Sequence, residues 1–235
     1  MALPLFMHLS DADKEKAIQS LIANSSPRQD FFLMMSLSIV MATFGLLINS
    51  GAIIIGSMLI APLLYPLLSL SLGIVITDPK LILRSIYTII KASAIAVVIA
   101  AIVTLLFTPN YKPTVEIIAR THPTLEYLLI AIVAGLAASF SLIKPELNER
   151  FAGVAISVAL IPPLAVNGIG IAWVNWEVLR QSLLLYIINV IGVVFSSLVV
   201  FSLMNLHRQR KVTQKAVKKE EQIIKKEQES IDETT

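Results

Sequence analysis

Six long apolar stretches dominate this chain and decide what it can become. They run Phe31–Ile48, Ala52–Ile76, Ser85–Phe107, Leu125–Ile143, Phe151–Trp173 and Leu179–Leu203. A helix needs about 20 mainly apolar residues to cross the hydrocarbon core of a bilayer. Lipid offers no hydrogen bonds to a bare backbone, so helices that satisfy their own polar groups are the expected form. Composition agrees, because apolar residues make up 56% and charged residues 15% of the 235, where a soluble domain carries about 25% charged residues. The mean hydropathy is +0.78. The expected fold is all-α: a polytopic membrane protein whose six transmembrane helices occupy residues 31–206, preceded by an amphipathic segment 1–30 and followed by a charged tail 207–235.

An even number of spans puts both ends on one side. Of the 19 Lys and Arg residues, 16 fall on the side of the tails, and the other side holds Lys112, Arg120 and Arg180. The positive-inside rule then predicts a plasma (inner) membrane protein with cytoplasmic N- and C-termini. The opening "MALPLFMHLSDADKEK" has no basic n-region, and Pro4 and His8 interrupt its apolar stretch. The first span is therefore expected to act as its own insertion signal.

Both flanks read as helices. Ser10 to Ala23 begins with the cap-like "SDAD" and sets Ala17, Ile18, Leu21 and Ile22 on one face, the pattern of a helix packed at the membrane surface. The tail "HRQRKVTQKAVKKEEQIIKKEQESIDETT" spaces Val217, Ile224 and Ile231 by seven. One apolar position per heptad is thin support for a coiled coil, so a solvated helix is expected, with a basic start suited to anionic membrane lipids. Glutamates interleaved with these lysines argue against nucleic acid.

Chemistry is narrowed further by what the spans lack. There is no cysteine, and His8, His122 and His207 are far apart in sequence, so no metal or other cofactor is expected. Carboxylates stay at span edges, as at Asp78, Glu146, Glu149 and Glu177. With neither acid nor histidine in an apolar core, no catalytic residues are assigned and the chain is not expected to be an enzyme.

Prolines then locate the candidate site. Pro62 lies near the middle of the second span, Pro162 and Pro163 near that of the fifth, in the related strings "LIAPL" (59–63) and "LIPPL" (160–164). Each would be the second helix of a three-helix half, and an odd helix count turns the second half upside down, giving a 3+3 inverted repeat. Proline removes a donor and frees a carbonyl, so both helices should be discontinuous and face the protein interior. The substrate-binding candidates are Ser57, Pro62 and Tyr65 on the second helix, and Pro163, Asn167 and Gly168 on the fifth. Kinked packing without a ligand explains the same residues as well.

Lys91 and Asn189 complete the candidates. Lys91 shares a helix face with Arg84, Tyr87 and Thr88, a cationic strip toward the broken helices or a lysine snorkelling to the headgroups. Asn189, inside the sixth span, serves either a solute or an interhelical hydrogen bond. Asn49 is expected to cap the turn "NSG". Ala92, Ala96, Ala100 and Ala131, Gly135, Ser139 form small-residue stripes for close packing within one chain or in a homo-oligomer.

"NSGAIIIGSMLIAPLLYPLLSLSLG", "GVAISVALIPPLAVNGIGIA" and "LLYIINVIGVVFSSLVVF" together resemble the uncharacterised hydrophobic domain family of prokaryotic membrane proteins, domain of unknown function 389. The resemblance spans about Phe31 to Leu206 and implies a multi-pass membrane architecture with no assigned activity. Two functions are weighed: a pathway for a small solute, anionic or neutral and polar, between the broken helices; and a structural or sensory scaffold that recruits partners through its tails.

Overall fold

The computed structural model describes residues 10–108, 110, 112–143 and 160–232. Helix α1 (Asp11–Asn24) starts where the Ser10 hydroxyl accepts from the Asp13 amide at 3.1 Å, and it buries Ala17, Ile18, Leu21 and Ile22. Next come α2 (Gln29–Leu47), α3 (Gly51–Ile60) and α4 (Leu64–Val75). Helices α3 and α4 form one bent apolar unit, with a 49° change of direction at the Pro62 break. Asp78 caps α5 (Pro79–Phe107) by accepting from the Lys80 and Leu81 amides. One turn of helix, α6 (Val115–Ile118), precedes α7 (Leu125–Ile143). The chain continues with α8 (Ile161–Ala172), α9 (Trp176–Leu203), a 3-10 turn (Leu206–Gln209) and α10 (Arg210–Asp232).

Helices α2, α5, α7 and α9 are each long and apolar enough to span a bilayer, and the bent α3–α4 unit makes a fifth candidate. Of the span expected over Phe151–Trp173, only the part from Leu160 onward is among the described residues. There Pro162 and Pro163 occupy the first turn of α8, where a missing N–H costs no intrahelical bond. Helices α5 and α9 begin at Pro79 and Trp176 rather than Ser85 and Leu179, because the caps Asp78 and Asn175, not apolarity, set their starts. At about 1.5 Å per residue both exceed the roughly 30 Å of hydrocarbon.

The elements sort to two ends. At one, the Glu116 amide donates to Asn49 Oδ1 (3.1 Å), Thr114 Oγ1 to the Leu46 carbonyl (2.7 Å) and Trp173 Nε1 to the Thr108 carbonyl (2.8 Å). This is the loop end. At the tail end, the apolar face of α1 joins one buried cluster with Leu72, Ile76, Leu81, Ile143 of α7, Phe201, Met204 and Val217 of α10. The tail is therefore docked rather than solvated: Val217 and Thr213 are buried, while Ile224 is half-buried and the Ile231 side chain lies outside the described residues.

Three tight turns share one geometry. "GLLINS", "GIVITD" and "GIAWVN" each place a left-handed residue before a cap: Asn49, Thr77 and Val174, with φ of 59°, 55° and 51°. In each, the cap amide donates back to the glycine carbonyl: Ser50 to Gly45 (2.8 Å), Asp78 to Gly73 (2.9 Å) and Asn175 to Gly170 (2.9 Å). A Cβ on those glycines would meet the Ile54, Ile82 and Leu179 amides within 3.1 Å, so only glycine lets the paired helices close this tightly. Asn49 is thus the left-handed residue of its turn, and Ser50 takes the cap position.

Two of these hairpins correspond residue by residue. Helices α4 and α8 are both 12 residues long and begin 97 residues apart, at Leu64 and Ile161. The same interval relates Pro66 to Pro163, Gly73 to Gly170, Thr77 to Val174, and the starts of α5 and α9. The expected pairing of "LIAPL" with "LIPPL" is four residues out of this register, because the turn rather than Pro62 anchors it. Helices α5 and α9 run in opposite senses, one from the tail end to the loop end and the other back.

Candidate functional site

The first group of candidates surrounds the break between α3 and α4. Ala61 is extended (ψ 124°), so the helix stops before Pro62, and the Tyr65 amide restarts a turn by donating to the Pro62 carbonyl at 3.2 Å. Above the break Ser57 is fully buried and donates to the Ile54 carbonyl (2.6 Å), while Ser38 of α2 donates to the Ser57 carbonyl (2.7 Å). That cross-helix bond uses a carbonyl near the end of α3, where acceptors would otherwise lack helical partners. Below it, Ile60 and Pro62 border a recess of ≈220 Å³ shared with Ser26 and Arg28 of the α1–α2 link and with Asp30, Phe31 and Met34 of α2. Tyr65 is half-buried and packs into the tail-end cluster.

A second group lies on α8. Asn167, 1% exposed, donates from Nδ2 to the Pro163 carbonyl (2.9 Å) and accepts at Oδ1 from the Ser182 hydroxyl (3.2 Å). Gly168 sits where α8 crosses α5: a Cβ there would be 2.5 Å from the Val97 carbonyl oxygen and 2.5 Å from Ala100 Cβ. Asn189 is buried on the same face of α9 as Ser182 and Tyr186, and the Tyr186 hydroxyl is 2.8 Å from Ser93 Oγ of α5. Pro163, Asn167 and Gly168 thus share a polar core with Ser182, Tyr186, Ser93 and α9. Ser182, Tyr186 and Ser93 are not among the candidates taken from the sequence; the spacing Ser182, Tyr186, Asn189 was the available signal. Among the described residues no hydrogen bond joins the Ser57–Pro62 group to the Asn167 group.

The strip of cations divides. Lys91 is exposed on α5, with Nζ 4.6 Å from the Phe32 ring centroid and 5.8 Å from that of Tyr87, a cation–π arrangement on the outer surface. Arg84 turns inward, where its Nη2 donates to Ser26 Oγ.

The correspondence between halves extends to contacts. Ser71 Oγ of α4 donates to the Val194 carbonyl of α9 at 3.2 Å; 97 residues on, Gly168 of α8 abuts the carbonyl of Val97, itself 97 residues before Val194. The small-residue stripes serve contacts of this kind within the chain: Ala100 faces Gly168, a Cβ on Gly192 would be 2.8 Å from Ala131 Cβ, and one on Gly135 would be 3.0 Å from the Val193 carbonyl.

Residues 58–195 match the family described as Domain of unknown function (DUF389). An uncharacterized protein of Methanocaldococcus jannaschii is 38% identical over 185 residues, covering 79% of this chain. The chain spans 57% of the length of that relative. No solved structure matches.

Proposed function

The chain belongs to the DUF389 family, and from that premise we propose that it forms a non-enzymatic pathway for a small solute, an anion or a neutral polar molecule, across the plasma membrane. The proposed frame is six spans in a 3+3 inverted repeat, with both termini cytoplasmic, working as a homo-oligomer among membrane lipids. Support for the repeat comes from the 97-residue register of α4–α5 with α8–α9, their opposite senses, and the paired Ser71–Val194 and Gly168–Val97 contacts. Equal lengths of 19 residues for α2 and α7 fit the same plan.

The observation that carries the pathway is the break at Pro62, which opens onto a recess containing Arg28 and Ser26 at the tail end. A broken helix exposes backbone dipoles that an intact span would use internally, and such groups are tolerated where they line a recess open to water, as this half-open one is. The polar core around Asn167 supplies the second half of the route. Single cysteines along 57–65 and 160–168 of this cysteine-free chain, probed with a membrane-impermeant thiol reagent from each side, test it. Periodic labelling along one face, suppressed by added solute, is the expected outcome. Absence of labelling at every position in folded protein rejects the pathway.

A scaffold is the second reading, favoured by α10, which docks on α1 as a formed helix instead of trailing free. It expects loss of function on deleting 208–235 and tolerance of Pro62→Ala.

A further inference from the structure

The Arg84 guanidinium brings buried donors without acceptors to the tail end, and their chemistry says what is missing. Arg84 Nε, Arg84 Nη1 and the adjacent Ser85 Oγ are buried and have no hydrogen-bond partner among the described residues. Each such group forfeits its hydration for nothing in return, so a native site normally supplies an acceptor. The remaining guanidinium nitrogen, Nη2, reaches Ser26. Beside it, Arg28 Nε is 3.9 Å from Glu220 Oε2 of α10, and the Ser26 hydroxyl lies 3.1 Å from that same oxygen. The charges acting on Arg84 are the carboxylates of Glu220 and Glu221 and the guanidinium of Arg28. Glu221 is exposed; Glu220 is 7% exposed.

Arg28 Nε is shared between Glu220 and the exposed Asp30, whose Oδ1 is also 3.9 Å away, and the Ser26 hydroxyl also reaches the Ile22 carbonyl at 2.7 Å; Arg84 Nε and Nη1 are the donors left over. A carboxylate presents two oxygens and one charge. Tetrahedral phosphate presents more of both and matches guanidinium donors well. We propose that Ser26, Arg28 and Arg84 form a binding site for a phosphate-type oxyanion at the tail end, and that Glu220 closes it as a carboxylate tethered on α10. This goes beyond the solute pathway, since the site and its closure require no flux. The covering helix is joined to the bundle by the apolar contact of Val217 and by Gln214, whose Nε2 donates to Asp78 Oδ2 at 3.2 Å. An oxyanion that displaces Glu220 therefore loosens one charged anchor of the tail while leaving these two.

The test uses the full chain in lipid-free detergent with radiolabelled inorganic phosphate at constant ionic strength. Glu220→Gln is expected to bind phosphate at least tenfold more tightly than the unmodified chain, and the double variant Glu220→Gln/Arg84→Gln to lose that gain. If the double variant fails to fold, Glu220→Gln/Ser26→Ala replaces it and should show a several-fold loss. A parallel reading places a cysteine at Val217: its labelling by a thiol reagent should accelerate at least fivefold on adding phosphate over chloride, and be fast without phosphate in the Glu220→Gln background. Adding phosphatidylglycerol, with phosphatidylcholine as control, separates the sources of the oxyanion. Competition by the former alone assigns the site to a lipid phosphate, and no competition to a free one. Phosphate binding unchanged by Glu220→Gln, or Val217→Cys labelling indifferent to that substitution, overturns the proposal.

Discussion

The α4–α5 and α8–α9 hairpins have one backbone plan and two interiors. Residues 97 apart occupy equivalent places, yet Leu70, Ser71, Ile89 and Ala92 of the first stand where the second has Asn167, Gly168, Tyr186 and Asn189. Ser85 and Ser182 are the same residue in both, but Ser182 bonds to Asn167 while Ser85 Oγ is buried without a partner. The turn is held by backbone bonds and a glycine contact, so it persists whatever faces the core. Interior positions answer only to their neighbours across the crossing, which leaves them free to diverge. Buried side-chain amides, Asn167 and Asn189, and the Tyr186 phenol have accordingly collected in the second hairpin, and unmet donors in the first.

The equivalent crossing contacts offer the strongest way to break this comparison. Gly168→Ala puts a carbon 2.5 Å from the Val97 carbonyl, a backbone atom with no easy retreat, and overpacking of this kind costs about 1–3 kcal/mol or more. Ser71 already carries a Cβ, so Ser71→Ala loses only its bonds to the Leu67 and Val194 carbonyls, at most about 1 kcal/mol. Thermal unfolding in detergent should therefore rank Gly168→Ala well below Ser71→Ala. Equal melting temperatures would mean the two crossings are not equivalent in packing.

Next in size is Asn167→Leu, which gives the second hairpin the residue type found at Leu70. It removes the bonds to Ser182 and the Pro163 carbonyl, and interhelical polar contacts in membranes are worth roughly 0.6 to 1.7 kcal/mol. The folded protein should survive with a modestly lowered melting temperature, while solute flux in liposomes is lost. Retained flux would remove Asn167 from the pathway. Tyr186→Phe makes a smaller change, deleting one hydroxyl contact with Ser93, and should cost about 0.6 kcal/mol with the core otherwise intact.

These positions differ in how much the sequence announced them. Helix α7 falls at Leu125–Ile143 as its apolar run predicts, and α1 follows its cap and its buried face. Pro62 announces the bend because a missing donor is a property of the residue itself. The register between hairpins was hidden for the opposite reason: Thr77 and Val174 adopt positive φ, which β-branched residues ordinarily avoid, so local propensity points away from the turn. The glycine five residues before each cap, in "GLLINS", "GIVITD" and "GIAWVN", was the legible trace. Docking of α10 was not legible in the sequence because Val217 is the one described apolar residue fully buried there, beside Thr213 and Glu220, in an otherwise charged and exposed segment, and tertiary contact decides such a case.

The finest distinction between the hairpins is the shared serine. Removing a hydroxyl that bonds well costs about 1 kcal/mol, whereas removing a buried one that bonds to nothing relieves an unpaid desolvation. Ser182 donates to the Val178 carbonyl at 2.7 Å and approaches Asn167 Oδ1, so Ser182→Ala should lower stability by roughly that amount. Ser85→Ala, at the equivalent place, should leave the melting temperature unchanged or slightly raised in phosphate-free detergent. A cost for Ser85→Ala equal to that for Ser182→Ala would show that Ser85 is satisfied within the bundle and that the two interiors are chemically alike after all.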